Sequence, residues 1–513
     1  MKHIVIVGGG SSGWLAAIVL SSHFPDKRFT VIDPTALGAI GVGESVTGAV
    51  INLVNDPRYG LDRGDFFRHC DATLKLGIWF KDWQGAGTEY LAPIDNPKSY
   101  FEHPHYVTAL EDFYAIIAAD GIKLGKAQIH AHLMRANKTD LICKDGMVTD
   151  HFAHASCHLD ALQFADWLRR ECQKRDNIQH VDDKVVSFKQ EPEAGRVTHL
   201  ILESGAHIAG DFFLDCSGLH RLLLQPAYQP AWIDFWPYIK LDRAIACTKA
   251  YNDTGDMPVY TTATAMPHGW MWKIPTQSRL GQGYLYSSRY ITDDQAIAEM
   301  HASGAEPGDA PQVIRFRPGK LATQWQGNVC AIGLAGGFIE ALESTTIHGM
   351  NVQLKLLAEL FLPYYTPQAA DSLSSRYNAM MNCMYDDYVD FISFHYHAGR
   401  EDTAFWRDYQ RPESITAANQ LRMESWTHSF PCREDFSPVY TARTLMTSTL
   451  ALWMPMLSGM NYLNQTHARQ LLQSSSNLDW ARENFTRYIR TRTLLDRYAI
   501  GQREAIAFLC ADA

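Results

Sequence analysis

The chain has 513 residues, 46% apolar and 20% charged, enough for one large domain or two to three ordinary ones in a globular protein. Its formal charge of −10, with no basic block, excludes the nucleic-acid binders, which need clustered Lys and Arg for phosphates. No apolar run reaches the ~18 to 20 residues that span a bilayer, so no membrane partner is expected. The ten cysteines are scattered without a C-x-x-C pair and read as reduced thiols of a cytoplasmic protein.

In chain order, His3–Val7 is a short apolar run of the kind that forms a strand buried on both faces. Gly8-Gly-Gly-Ser-Ser-Gly13 follows, then a helix from Trp14 to about His23 and a second strand, Arg28–Asp33. This is the dinucleotide fingerprint in its proper β-α-β setting. Gly8 permits the tight turn, Gly10 lets backbone approach a pyrophosphate, and Gly13 lets helix and strand pack closely. The helix start offers N–H groups to the phosphates, with Ser12 in its first turn. Asp33, 20 residues after Gly13, can accept hydrogen bonds from ribose hydroxyls.

Residues from about 180 to 335 are richer in strand-like runs, such as Lys184–Phe188, Val197–Leu202 and Asp211–Asp215. From 347 the period changes: Ile347, Met350, Leu354, Leu357 and Phe361 share one helix face. The remainder is mostly helical in pattern, broken by prolines. We therefore expect a mixed α/β chain, with residues 1–360 forming a dinucleotide box with an interleaved sheet region. Residues 361–513 would form a mainly helical substrate module.

Three segments favour FAD over NAD. Asp215-Cys-Ser-Gly218 follows an apolar strand, resembling the second adenosine-side contact of glutathione-reductase-type and aromatic-hydroxylase-type flavoproteins. Asn328–Phe338 is a buried strand running into a Gly-rich turn, where that superfamily holds the ribityl chain. Gly41-Val-Gly-Glu-Ser45 supplies pliant backbone near an isoalloxazine, with Gly43 and Glu44 as cofactor contacts.

Several strings then carry a closer resemblance. Gly8–Trp14, with tryptophan directly after the third glycine, resembles the opening of the tryptophan-halogenase family. Gly269-Trp-Met-Trp-Lys-Ile-Pro275 is similar to its W-x-W-x-I-P signature, and Phe338–Ile347 to its F-x-E-P-L-E-S-T-S-I string. His158–Arg169 and Asp390–Trp406 resemble two of its helical regions. The resemblance implies a flavin-dependent halogenase, in which FADH2, O2 and a halide ion yield hypohalous acid that is guided to an indole-type aromatic. It also implies a separate flavin reductase, because only one dinucleotide fingerprint is present, and a possible homodimer.

The resemblance assigns roles to residues. Lys75, in Ala72–Phe80, would steer the oxidant. An ammonium would donate a hydrogen bond to the hypohalous oxygen, whereas a neutral amine would form an N-haloamine. Alternation alone puts Lys75 on the wet side of a strand with Thr73, Gly77 and Trp79. Glu343, 268 positions later, would accept the proton released by the substituted ring, or simply favour a helix start. Ser344–Thr346 precedes a helix that Ser or Thr can cap, and the resemblance puts the halide at Thr345 and Thr346. It places Trp14, Val185, Leu334 and Ile347 at the cofactor and makes Trp270 and Trp272 a screen between substrate and flavin. Trp453 would stack on substrate. Paired histidines form no metal-ligand set, so no metal is assigned.

The substrate end departs from the family. No Asp or Glu occurs between Phe436 and Leu478 to hold an amino group, no Tyr-Tyr pair precedes Trp453, and Tyr100–Pro104 lacks the usual aromatic wall. A simpler indole or another electron-rich arene is therefore expected to outperform free tryptophan. The other readings are an FAD-dependent aromatic hydroxylase and a non-catalytic flavin-binding protein.

Overall fold

The computed structural model describes residues 1–34, 43–95, 106–150, 156–192, 195–251, 257–305, 311–436 and 450–511. The chain forms two compact units, each assembled from three stretches. The first takes Met1–Asp71, Leu159–Lys240 and Phe316–Val389; the second takes Ala72–His158, Leu241–Arg315 and Asp390–Ala513. The parts interleave, as the sequence suggested. The boundary expected at 360/361 lies inside a continuous stretch of the first unit, because the helical run after 347 packs there up to residue 389.

In the first unit, β1 (His3–Val7), α1 (Ser11–His23) and β2 (Arg28–Ile32) form the expected β-α-β unit. They belong to a six-stranded sheet ordered Ile178–Val181, β2, β1, Phe212–Asp215, Val329–Ala331 and Trp325–Gln326. All neighbours are parallel except the last pair. β1 is buried along its length, which is why it reads as an unbroken apolar run. A core cluster of Val5, Val7, Ile32, Phe213, Val329 and Ala331 joins this sheet to Val185, Leu200 and Leu202 of a three-stranded antiparallel sheet. Helix Thr345–Leu356 and the wide turn Leu357–Phe361 bury Ile347, Met350, Leu354, Leu357 and Phe361, the face read from the sequence.

The second unit is built on a seven-stranded sheet ordered Val313–Arg315, Arg243–Ala250, Arg279–Tyr286, Gly269–Pro275, Thr261–Met266, Gly77–Lys81 and Glu89–Pro93. Only the pairing of Thr261–Met266 with Gly77–Lys81 is parallel. Helices Tyr106–Ala119, Gln465–Ser474 and Leu478–Tyr498 pack together, with the Phe113 ring 5.0 Å from Tyr488. No helix among the described residues is long and apolar enough to cross a membrane.

Asp215 holds the crossover after its strand. Its carboxylate is fully buried and accepts from the Ser217 hydroxyl at 2.6 Å and from the Leu223 and Leu224 amides at 2.9 Å each. An amide side chain cannot accept on both sides. Asp215→Asn should therefore destabilise the chain by about 3 kcal/mol, read as a lower urea-unfolding midpoint. An unchanged midpoint would show that these three donors are satisfied elsewhere.

Candidate active site

The parallel strands of the first unit end together, and their carboxyl ends carry the glycine loop, Asp33, Asp215–Gly218 and the turn Gly333–Ala335. Such a crevice is where open α/β sheets bind ligands. Gly8 has φ of 102°, and a side chain there would strike the Cys216 carbonyl oxygen at 2.6 Å. A Cβ on Gly13 would overlap the Gly8 carbonyl oxygen, so α1 lies directly on the turn. The space beside Gly10 is open, the cradle a pyrophosphate requires, and no side chain caps α1. Gly9 plays a part that the sequence did not reveal. A Cβ there would overlap the Asp33 carboxylate, which accepts a hydrogen bond from the Gly9 amide. Burial pushes the Asp33 carboxyl up, and that amide partly opposes it. These features fit an adenine dinucleotide, which Gly8, Gly10, Ser12, Gly13 and Asp33 would hold. Trp14 and Val185 are core residues: Trp14 meets His180 edge-on, and Val185 packs in the cluster with Val5 and Ile32.

The turn at Gly333 adjoins the same loop. Gly333 has φ of 63°, and a Cβ there would come within 2.8 Å of Ser12 Oγ and 2.7 Å of Met350 Sδ. Its amide donates to Gln353 Oε1 at 2.9 Å. Leu334 is half-buried in this turn, and Ile347 is buried on the neighbouring helix. On the other side, Ser45 accepts from the Ser344 hydroxyl at 3.0 Å, and Thr47 lies 2.9 Å from His348 Nδ1. Gly43 and Glu44 belong to that segment, and burial pushes the Glu44 carboxyl up to about 7. Gly41 and Val42 lie outside the described residues.

Glu343 and Ser344 are consecutive left-handed residues, with φ of 64° and 59°, just before helix Thr345–Leu356. The expected Ser or Thr cap is not made, because the Ser344 hydroxyl is turned to Ser45 instead. The helix thus begins without a side-chain cap on its first-turn amides. Thr345 and Thr346 line a cavity of about 20 Å³ with Gly337, Phe338, Ile339 and Tyr388, room for one small ion or water. Glu343 itself is half-buried.

Lys75 belongs to the second unit, and it is not on a wet face. It is 3% exposed. The alternating run Thr73–Phe80 is split at Leu76 into Thr73–Lys75 and Gly77–Lys81, which join different sheets. Leu76 donates to the Val259 carbonyl at 2.7 Å and accepts from the Ile94 amide at 3.0 Å. Lys75 pairs with Ser156 and Thr73 with His158 across an antiparallel ladder. The Thr73 hydroxyl donates to the Pro275 carbonyl at 2.7 Å, so it accepts from His158 Nδ1 at 3.1 Å. His158 Nε2 is then the acceptor for the Thr261 hydroxyl at 2.9 Å. Burial, with Lys75 adding to it, holds the His158 imidazole neutral, well below its ordinary pKa.

The strand that ends at Pro275 carries Trp270 and Trp272, whose rings meet edge-on at 6.1 Å. A side chain on Gly283 would overlap the Trp272 ring, so that glycine is the floor on which the indole lies. Trp453 is fully buried: the Phe436 ring lies 4.9 Å away, and the Arg422 guanidinium sits 5.1 Å over the indole. Tyr100–Pro104 and 437–449 lie outside the described residues.

Comparison with known proteins gives the family. The tryptophan halogenase family model matches residues 3–475. Tryptophan 7-halogenase RebH of Lentzea aerocolonigenes is 30% identical over 423 residues, 79% of this chain and 78% of that protein. Tryptophan 6-halogenase SttH of Streptomyces toxytricini is 28% identical over 459 residues, 85% of this chain and 86% of that one. Among solved structures, a tryptophan halogenase from Shewanella frigidimarina superposes with a TM-score of 0.88 at 26% identity, covering 100% of this chain and 98% of its own. BrvH, a flavin-dependent halogenase from Brevundimonas sp. BAL3, gives 0.84 at 28% identity, with 99% of both chains covered. The glycine loop, the turn at Glu343 and the buried Lys75 are therefore parts of an enzyme that belongs to the tryptophan halogenase family of flavin-dependent halogenases.

Proposed function

We propose that the chain halogenates an electron-rich aromatic of indole type, with Lys75 guiding the oxidant and Glu343 taking up the ring proton. The burial of Lys75 carries this reading. A lysine 3% exposed, on a strand anchored at each residue from 72 to 76, is built to hold its amine at one place rather than to solvate a surface.

Bound FADH2, delivered by a separate flavin reductase, supplies hypohalous acid when O2 and a halide are present. The chain's residues then have five tasks. The loop Gly8–Gly13 and Asp33 hold the dinucleotide. The amides opening helix Thr345–Leu356 hold the halide in the small cavity beside Thr345 and Thr346. The Lys75 ammonium donates a hydrogen bond to the hypohalous oxygen, which makes the halogen more electrophilic. As the ring gains the halogen it becomes cationic, and the Glu343 carboxylate stabilises that charge and accepts the proton. The oxidant's oxygen leaves as water, so that arene and hypohalous acid give aryl halide and water. Trp270 and Trp272 screen the substrate from the flavin. The absence of acidic residues between Phe436 and Leu478 favours a simple indole over free tryptophan.

Incubation with a flavin reductase, NADH, FAD, bromide and indole should give a bromoindole, recognised by its paired isotope masses. Lys75→Ala should lower the yield at least ~100-fold with FAD binding intact. Glu343→Gln should lower it ~10² -fold or more. Halogenation that persists in Lys75→Ala, or a hydroxylated product from the wild-type chain, overturns the reading. Indole should exceed tryptophan in kcat/KM by about tenfold or more, and equal values would remove the argument from the missing carboxylates.

Glu44 makes stability depend on pH. Its folded carboxyl keeps a proton up to about 7, whereas the unfolded one releases it near the ordinary value of 4.5. The folded state binds the extra proton across that window, so stability falls as pH rises through it, by about 3 kcal/mol in all. Urea unfolding of the flavin-free chain at pH 5 and pH 7.5 should show this loss. Glu44→Gln should flatten it, and an equal slope in the variant would assign it to another group.

A further inference from the structure

We propose that Gln502 is a positioning residue for Lys75, and that the C-terminal segment 499–511 braces the strand that carries the lysine. This rests on the reading of Lys75 given above. The segment lies beyond the residues matched by the family model, which end at 475. Nothing in its sequence points to catalysis.

The strand Thr73–Lys75 lies at the edge of its sheet, with its inner side paired to Ser156–His158. The other side presents the amide and carbonyl of Leu74, which need partners because Leu74 is buried. Gln502 supplies both from one side chain. Its Nε2 donates to the Leu74 carbonyl at 2.8 Å, and its Oε1 accepts from the Leu74 amide at 3.3 Å. A primary amide presents the same donor and acceptor pair as a neighbouring strand residue, so the glutamine caps the edge as a further strand would. It is 3% exposed, which keeps water from competing.

Gln502 is itself fixed. It begins helix Gln502–Ala511, whose Ala505, Ile506 and Leu509 are buried. The preceding strand Ala499–Gly501 pairs antiparallel with Lys138–Lys144, and the Thr139 hydroxyl donates to the Ile500 carbonyl at 3.1 Å. The clamp grips the residue next to Lys75 in the chain, and the Lys75 Cα has little freedom once Leu74 is held on one side and Ser156 on the other. With the clamp cut, the amine wanders and the oxidant is released unguided. An enzyme that is merely destabilised makes less oxidant and less product together. One with a misplaced lysine makes the oxidant normally and loses it.

The test follows halogenated indole and leaked hypohalous acid, the latter trapped by monochlorodimedone, for each FADH2 oxidised. Gln502→Leu should cut halogenated indole about tenfold while leaked oxidant rises and flavin oxidation stays at the wild-type rate. Hydrogen exchange of the Leu74 amide should quicken in the same variant. Gln502→Glu keeps the acceptor and loses the donor, so it should fall between the two; it takes the place of Gln502→Leu if that variant does not fold. Wild-type product yield in Gln502→Leu, alongside an inactive Lys75→Ala, overturns this proposal alone. Undiminished halogenation by Lys75→Ala overturns the role of Lys75 and with it that of Gln502. The Leu74 exchange rate still reports whether the clamp exists.

Discussion

Keeping Lys75 out of water is the demand on which the second unit depends. A long cationic side chain ordinarily reaches solvent, and withdrawing it costs solvation that the protein must replace. The chain meets this by leaving the lysine's backbone no slack. The Ala72 carbonyl accepts from Gln277, Thr73 is tied to Pro275 and His158, Leu74 to Gln502, and Leu76 to Val259 and Ile94. The partners come from separate strands and a helix, so the position of one amine is set by the packing of the whole unit. A neutral His158 suits that purpose, because a second cation beside Lys75 would repel it.

The first unit solves a different problem, that of bringing backbone close to a charged ligand. Gly8, Gly13 and Gly333 stand where any side chain would meet a carbonyl oxygen, a serine or a methionine, and this lets loop, helix and turn close on one another. The contact is steric and the chemistry is left to amides. Positive φ values at Gly8 and Gly333 set the two turns, and α1 adds its uncapped start. Such a cradle is indifferent to what the flavin will do, which is why the same opening serves proteins of many activities.

This division explains what was legible in the sequence. The β-α-β unit could be read because its constraints are local: an apolar strand, three spaced glycines, a helix and an acid within about 30 residues. The helix face from Ile347 to Phe361 was legible for the same reason. The setting of Lys75 was not. Alternation assigned it to solvent, since the pattern carries no sign that the strand breaks at Leu76 or that Gln502, 428 residues away, closes its edge. Trp453 shows the converse. Its string matched a substrate-contacting one but gave no sign of Phe436 and Arg422, which lie against the ring. A motif reports residue types, whereas a role depends on which neighbours arrive from elsewhere in the chain.

The turn at Glu343 joins both lessons. Two successive non-glycine residues in the left-handed region cost roughly 1–3 kcal/mol each, and a helix start gains nothing from them when a serine could cap it in extended geometry. The conformation persists because Ser344 is held by Ser45 and the helix behind it is locked through Gln353 and Met350. The strain has a use. It carries the chain round tightly before helix Thr345–Leu356, with Glu343 half-buried in the turn. An ordinary cap would stabilise the helix and occupy the donors that an anion needs. The same few residues thus give up local stability to hold this turn.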